Sequence, residues 1–137
     1  MPHFAKPALE RSLPERDIEY VHLPELGGLR KPDRDSVNAG WRNSAFRGYA
    51  DYMQREEFWN ALDRLEDLSH EKQVAIMCAE AVPWRCHRSL VADALTVRGV
   101  EVRHITGPGV PKPHALTPFA RVRDGRITYP PPDTLGL

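Results

Sequence analysis

The chain has 137 residues, of which 41% are hydrophobic and 28% charged, a composition that argues for a folded globular domain and against disorder. Its 19 basic and 19 acidic side chains cancel to a net charge of zero, which excludes a global field for holding DNA, RNA or an anionic membrane and leaves only a local basic patch. No apolar run approaches the roughly 20 residues that span a bilayer, and Met1 to Ser12 lacks the apolar core of a signal peptide, so one cytoplasmic domain without membrane contact is expected over residues 1–137.

In chain order, Phe4 to Leu13 reads as a short helix, with Pro7 tolerable in its first turn and Pro14 disturbing its end. The β-branched and aromatic run Ile18 to Leu23, closed by Pro24, reads as a buried or half-buried strand. Residues 24–45 carry Gly27-Gly28, Pro32 and Asn38-Ala39-Gly40 without a sustained period. They predict a long loop, either a functional lid or a surface excursion, pinned at its far end by Trp41, Phe46 and Tyr49.

Asp51 to Leu68 has helical spacing, with Phe58, Trp59, Leu62 and Leu65 on one face and Glu56, Glu57, Asp63, Arg64 and Glu66 on a solvated one. Val74 to Cys78 is apolar on both parities, which predicts a central parallel strand. A helix then starts near Cys86 with Leu90, Val91, Ala94 and Leu95 on its stripe and Gly99 as its stop. Val100 to Ile105 alternates as a further strand. The Pro-rich tail over 106–137 holds an Asp124-Gly125 hairpin turn between short extended runs. Strand, helix and strand in succession predict an α/β fold with a small, mostly parallel sheet and helices on both faces.

Both cysteines fall in one stretch, Cys78 to Arg88, together with Glu80, Trp84, Arg85 and His87. Their compartment makes reduced thiols the default. Ligands of open parallel sheets bind beyond the carboxyl ends of strands, where helix N-termini offer unpaired N–H groups to anions. Cys86, at a helix start beside arginines, is the better candidate for a reactive thiol, with His87 as its base or orienting partner. Arg85 and Arg88 suit an anionic group, and Glu80 could orient an arginine or accept from a ligand. Cys78 ends a strand and is as readily a small core residue; Trp84 suits a packing plug.

Alternatives to this chemistry stay open. A phosphatase-type loop needs Cys-x5-Arg, whereas Cys78 and Arg85 are one residue too far apart. A zinc site needs four ligands, and Cys78, Cys86 and His87 supply three, with Glu80 or His104 as a fourth. Neither a metal nor a cofactor is therefore assigned. The Cys86-His87-Arg88 tripeptide is shared with alkylguanine-DNA alkyltransferases, without their surrounding pattern.

A broader resemblance rests on Tyr20 to Gly28, Phe46 to Met53, Cys78-Ala79-Glu80 with Cys86-His87-Arg88, and Val102 to Ile105. Together these runs resemble the domain-of-unknown-function family DUF488. The resemblance implies a Rossmann-like three-layer domain with no firmly assigned reaction, and places the Cys-Ala-Glu and Cys-His-Arg motifs in its site. The family pattern is expected to begin with a strand, a helix and a second strand carrying Asp-Val-Arg, which this sequence lacks before Phe4. An N-terminally truncated sheet with an exposed edge, favouring a homo-oligomer, is therefore expected. The sequence thus predicts a small anionic or nucleotide-type ligand with cysteine-based chemistry; the alternative is a non-catalytic accessory domain that binds nucleic acid or protein.

Overall fold

A computed structural model describes residues 6–28, 30–77 and 87–131. Among them are four α-helices: α1 (Lys6–Ser12), α2 (Ser44–Tyr52), α3 (Glu56–Glu71) and α4 (Arg88–Val97). Two 3-10 turns, Pro14–Arg16 and Pro24–Leu26, accompany them, and two small antiparallel ladders pair β1 (Arg103–His104) with β2 (Lys112–Pro113) and β3 (Arg121–Arg123) with β4 (Arg126–Thr128).

This overturns the expected Rossmann-like, three-layer α/β architecture with a mostly parallel sheet. Neither Ile18 to Leu23 nor Val74 to Met77 joins a ladder. Their burial is also opposite to that of central strands: Ile18 is 50%, Val74 40% and Met77 48% exposed. Only two residues of the third expected strand pair, and they pair antiparallel. β-branched spacing reports a preference for extended backbone, but a strand exists only where a neighbour completes its hydrogen bonds.

The core instead lies among α2, α3, α4 and the β3–β4 hairpin, with Tyr49, Phe58, Leu62, Leu90, Ile127 and Tyr129 inaccessible or nearly so. The predicted stripe of Phe58, Trp59, Leu62 and Leu65 is buried on α3, and Leu90, Val91, Ala94 and Leu95 are buried on α4. The expected 51–68 helix is split. Gln54 N–H and Arg55 N–H bond three residues back to Asp51 and Tyr52, tightening the end of α2, and Trp59 Nε1 donates to Met53 O at 2.7 Å before α3 can continue the ladder.

Local chemistry sets the other ends. Asn43 Oδ1 accepts from Ala45 N and Phe46 N, capping α2. Beyond α4, Gly99 takes φ +82° while Val100 N bonds Leu95 O at 3.0 Å and Gly99 N bonds Thr96 O at 3.0 Å, closing a Schellman motif at the predicted stop. Asp124 and Gly125 both have positive φ, the two-residue turn that matches the twist of β3 and β4.

The segment between Leu26 and α2 is tied to this body at several points. Asp51, almost wholly buried, accepts from Asp33 N, Ser36 Oγ and Asn38 Nδ2. Gly40 N donates to Tyr129 O at 2.8 Å, and Trp41 packs edge-on against Phe46 and Phe119. These bonds pack the segment onto α2 and the residues that follow β4.

Candidate functional site

Helix α4 begins directly after His87, whose carbonyl accepts from Leu90 N and Val91 N and so starts the helical ladder. That position turns the imidazole toward the Pro24–Leu26 turn, where its Nε2 lies 3.0 Å from Leu26 O. A carbonyl only accepts, so Nε2 bears the hydrogen and, in the neutral ring, Nδ1 is the acceptor. The same carbonyl accepts from Tyr49 Oη at 2.7 Å, and the Tyr49 ring packs against the imidazole with centroids 4.6 Å apart.

The other nitrogen of His87 faces Gly28. A Cβ placed on Gly28 would come within 2.9 Å of Nδ1, so the glycine leaves room for the ring. Burial lowers the affinity of His87 for a proton, and the positive charges of Arg88 and Arg30 act in the same direction against the bond to Leu26. A neutral imidazole with an available Nδ1 lone pair results at neutral pH.

Arg30 reaches this corner from the opposite side. Its guanidinium carbon stands 3.8 Å above the Tyr52 ring and its Nε donates to Gly27 O at 3.3 Å. Tyr52 Oη donates to Glu25 O at 2.5 Å, so α2 holds the Glu25–Gly28 turn by two tyrosines. Glu25 Oε2 is buried and has no hydrogen-bond partner among the described residues.

Of the residues expected from the sequence to form a site, His87 and Arg88 are placed here, at the start of α4. Cys78, Glu80, Arg85 and Cys86 lie outside the described residues, as does Trp84. His104, considered as a fourth zinc ligand, has Nε2 engaged by His114 Nδ1 at 2.6 Å. Among the described residues no group of three His, Cys, Asp or Glu side chains is arranged to hold a metal. Burial lowers the proton affinity of His104, followed by His114 and Arg88, while Asp93 opposes them.

Arg30 and Leu26 O join this corner with Gly28, expected only as part of the loop, and Tyr49, expected only to pin the loop's far end. Gly27-Gly28 next to Arg30 was the available signal, since paired glycines often mark a close approach. Their contact with a histidine some 60 positions away has no local trace. A separate open cavity of about 660 Å³ lies at the far end of α4, lined by residues that include Lys72, Val74, Arg98 and Gly99. Arg98 is already bonded there to Asp63 at 2.6 Å.

No helix among the described residues is long and apolar enough to cross a membrane. The family described as "Domain of unknown function DUF488" matches residues 1–95, a span that includes His87 and Arg88 and stops before Val102 to Ile105. No curated protein and no solved structure matches the chain.

Proposed function

Because the chain belongs to the DUF488 family, whose description names no reaction, we propose from its own residues that it binds a small anionic or nucleotide-type ligand at the start of α4 and uses Cys86 as a reactive thiol. The observation that carries this reading is the convergence of cations beside His87: Arg30, stacked on Tyr52 and bonded to Gly27 O, and Arg88, the first residue of α4, both weigh against a proton on that ring. Cationic groups from the 24–30 segment and from α4 thus approach one helix N-terminus. The dipole of that terminus favours negative charge.

Within this reading Cys86, one residue before His87, is the nucleophile, since the same field favours thiolate over thiol. His87 accepts the thiol proton at Nδ1, the nitrogen not engaged by Leu26. Arg85 and Arg88 hold the anionic group, Glu80 orients an arginine or accepts from the ligand, and Cys78 lines the site. Self-association through exposed apolar side chains such as Ile18, Val21 and Met77 belongs to the same proposal and is read by light scattering.

The test is the rate of Cys86 alkylation as a function of pH, with and without inorganic phosphate. A thiolate formed well below the ordinary value of about 8.5, and protection by phosphate, are expected. An ordinary thiol value without protection removes the reading. Nucleic-acid binding that weakens steeply with salt and is untouched by Cys86→Ser would instead favour the accessory-domain alternative.

A further inference from the structure

Asp93, midway along α4, has no exposed side-chain surface. Its carboxylate accepts four hydrogen bonds: from His114 Nε2 at 2.7 Å and Thr117 N at 3.1 Å on Oδ1, and from Thr117 Oγ1 and Tyr129 Oη, each at 2.7 Å, on Oδ2. His114, whose side chain is 7% exposed, turns its other nitrogen to His104 Nε2 at 2.6 Å. The β1–β2 register explains the alignment. His104 pairs with Lys112, and His114 N bonds Val102 O at 2.9 Å, so the two histidines lie diagonally on one face of the ladder.

The hydrogen-bond directions follow from one end. An Asp93 oxygen accepts, so His114 Nε2 donates. A neutral His114 then accepts at Nδ1, so His104 Nε2 donates in turn. His104 Nδ1 is left as the proton-accepting end of the chain, on a half-buried ring near Arg88. A structural staple between the ladder and α4 would be complete with His114 alone. The second imidazole in series extends a hydrogen-bonded path from the buried carboxylate to the accessible end of the network.

We propose that Asp93, His114 and His104 form a proton relay in which His104 is the general base, acting on a ligand that carries an ionisable hydroxyl or thiol beside an anionic group. The anionic group rests on the reading of the α4 start given above; the relay itself does not. In the step, the ligand O–H or S–H bond breaks, its electron pair stays on oxygen or sulfur, and a new N–H bond forms at His104 Nδ1. The resulting imidazolium keeps its Nε2 hydrogen on the 2.6 Å bond to His114 and is favoured by the charge of Asp93, against burial, His114 and Arg88, and the proton returns when the product leaves. His114 and Asp93 are positioning residues. The charged and titratable groups around His104 are Arg103 on its own strand, Lys112 and His114 from the β2 side, and Arg88 and Asp93 from α4. Burial, with His114 and Arg88 acting in the same direction and Asp93 opposing, holds His104 below the ordinary imidazole value, so the ring is free to accept a proton.

Two-bond proton–nitrogen correlation spectra of the full chain, recorded without ligand at slightly alkaline pH, test the relay directly. Both His104 and His114 are expected as Nε2–H tautomers; an Nδ1–H His104 overturns the proposal. Carbethoxylation of His104 by diethyl pyrocarbonate at a pH where the ring is neutral is expected to slow about threefold in Asp93→Asn, because the lone pair loses the push of the buried carboxylate. It is expected to slow likewise in His114→Gln, which preserves a donor and an acceptor but not the second imidazole. Unchanged reactivity in folded His114→Gln overturns the relay even where Asp93→Asn fails to fold. Adding inorganic phosphate separates the two readings: without a response at Arg88 and His87 the anion site fails, while the tautomers still decide the relay.

Discussion

Asn38 Nδ2 donates to Asp51 Oδ1 at 2.7 Å, with Asn38 wholly buried and Asp51 3% exposed. The same Asn38 accepts at Oδ1 from Tyr129 N at 2.8 Å, so one amide joins the segment before α2, α2 itself and the residue that follows β4. Replacing it strands a buried backbone donor and removes a donor from a buried carboxylate. Asn38→Ala is therefore expected to cost about 3 kcal/mol, from roughly 1–3 kcal/mol per unsatisfied buried group. A change in urea midpoint equivalent to under about 1 kcal/mol would show that the junction is not structural.

Gly48 tests close packing at the other end of the same segment. Alanine in a helix is ordinarily better than glycine by about 1 kcal/mol. Here a Cβ would overlap Arg30 O and lie 2.7 Å from Arg30 C, both backbone atoms that a rotamer change does not move. Gly48→Ala should reverse the usual sign and destabilise by about 2 kcal/mol or more. Stabilisation in a thermal melt would refute the packing of residues 30–31 on α2.

Gly28→Ala probes the candidate site more gently, because the nearest atom is a side-chain one, His87 Nδ1 at 2.9 Å. The imidazole is expected to turn away from Leu26 O, losing one hydrogen bond worth about 1 kcal/mol. The His87 ring resonances should shift while the Leu62 and Phe58 methyl and ring signals of the core stay in place. If the His87 signals do not move, the ring does not lie against Gly28.

Stability should depend on pH at both extremes. His87 and His104 are held below the ordinary imidazole value of 6.5, burial being the first cause for each. The unfolded chain takes up protons near 6.5 and the folded chain resists, so their contribution is intact above that pH and is lost as pH falls through the folded values. The urea midpoint is expected to fall on acidification below 6.5, and to fall less in His104→Gln. At the alkaline end, burial holds Tyr49 and Tyr129 far above the ordinary value of 10, with Asp93 adding to it for Tyr129. Their contribution is complete below pH 10 and is lost above it, so tyrosinate absorbance should rise together with unfolding. Full tyrosine ionisation in a folded chain would contradict their burial.

The corrected fold makes its own prediction. Leu62, inaccessible on α3, should cost about 2–5 kcal/mol as Leu62→Ala. Val74, 40% exposed and outside any ladder, should cost within about 0.5 kcal/mol as Val74→Thr. Comparable losses at both positions in denaturant unfolding would restore Val74 to a buried strand.

Features that depend on neighbours a few residues apart were legible in the sequence. The stripe of α3, the stripe and glycine stop of α4 and the Asp124-Gly125 turn are local consequences of side-chain period and of backbone conformations that glycine allows. It also marked His87 and Arg88 as worth locating, and the family that residues 1–95 match was legible in short runs along the chain. Strand pairing was not legible in this way. Ile18 to Leu23 and Val74 to Met77 have the composition of strands, but a ladder is a property of two segments, and composition describes only one. The tertiary structure likewise decided that Leu26 O receives both Tyr49 and His87, and that Asp93, in helical spacing merely one more polar residue on α4, gathers His114, Thr117 and Tyr129. A buried polar group must find its partners wherever the fold brings them, so these bonds are fixed by packing across distant segments.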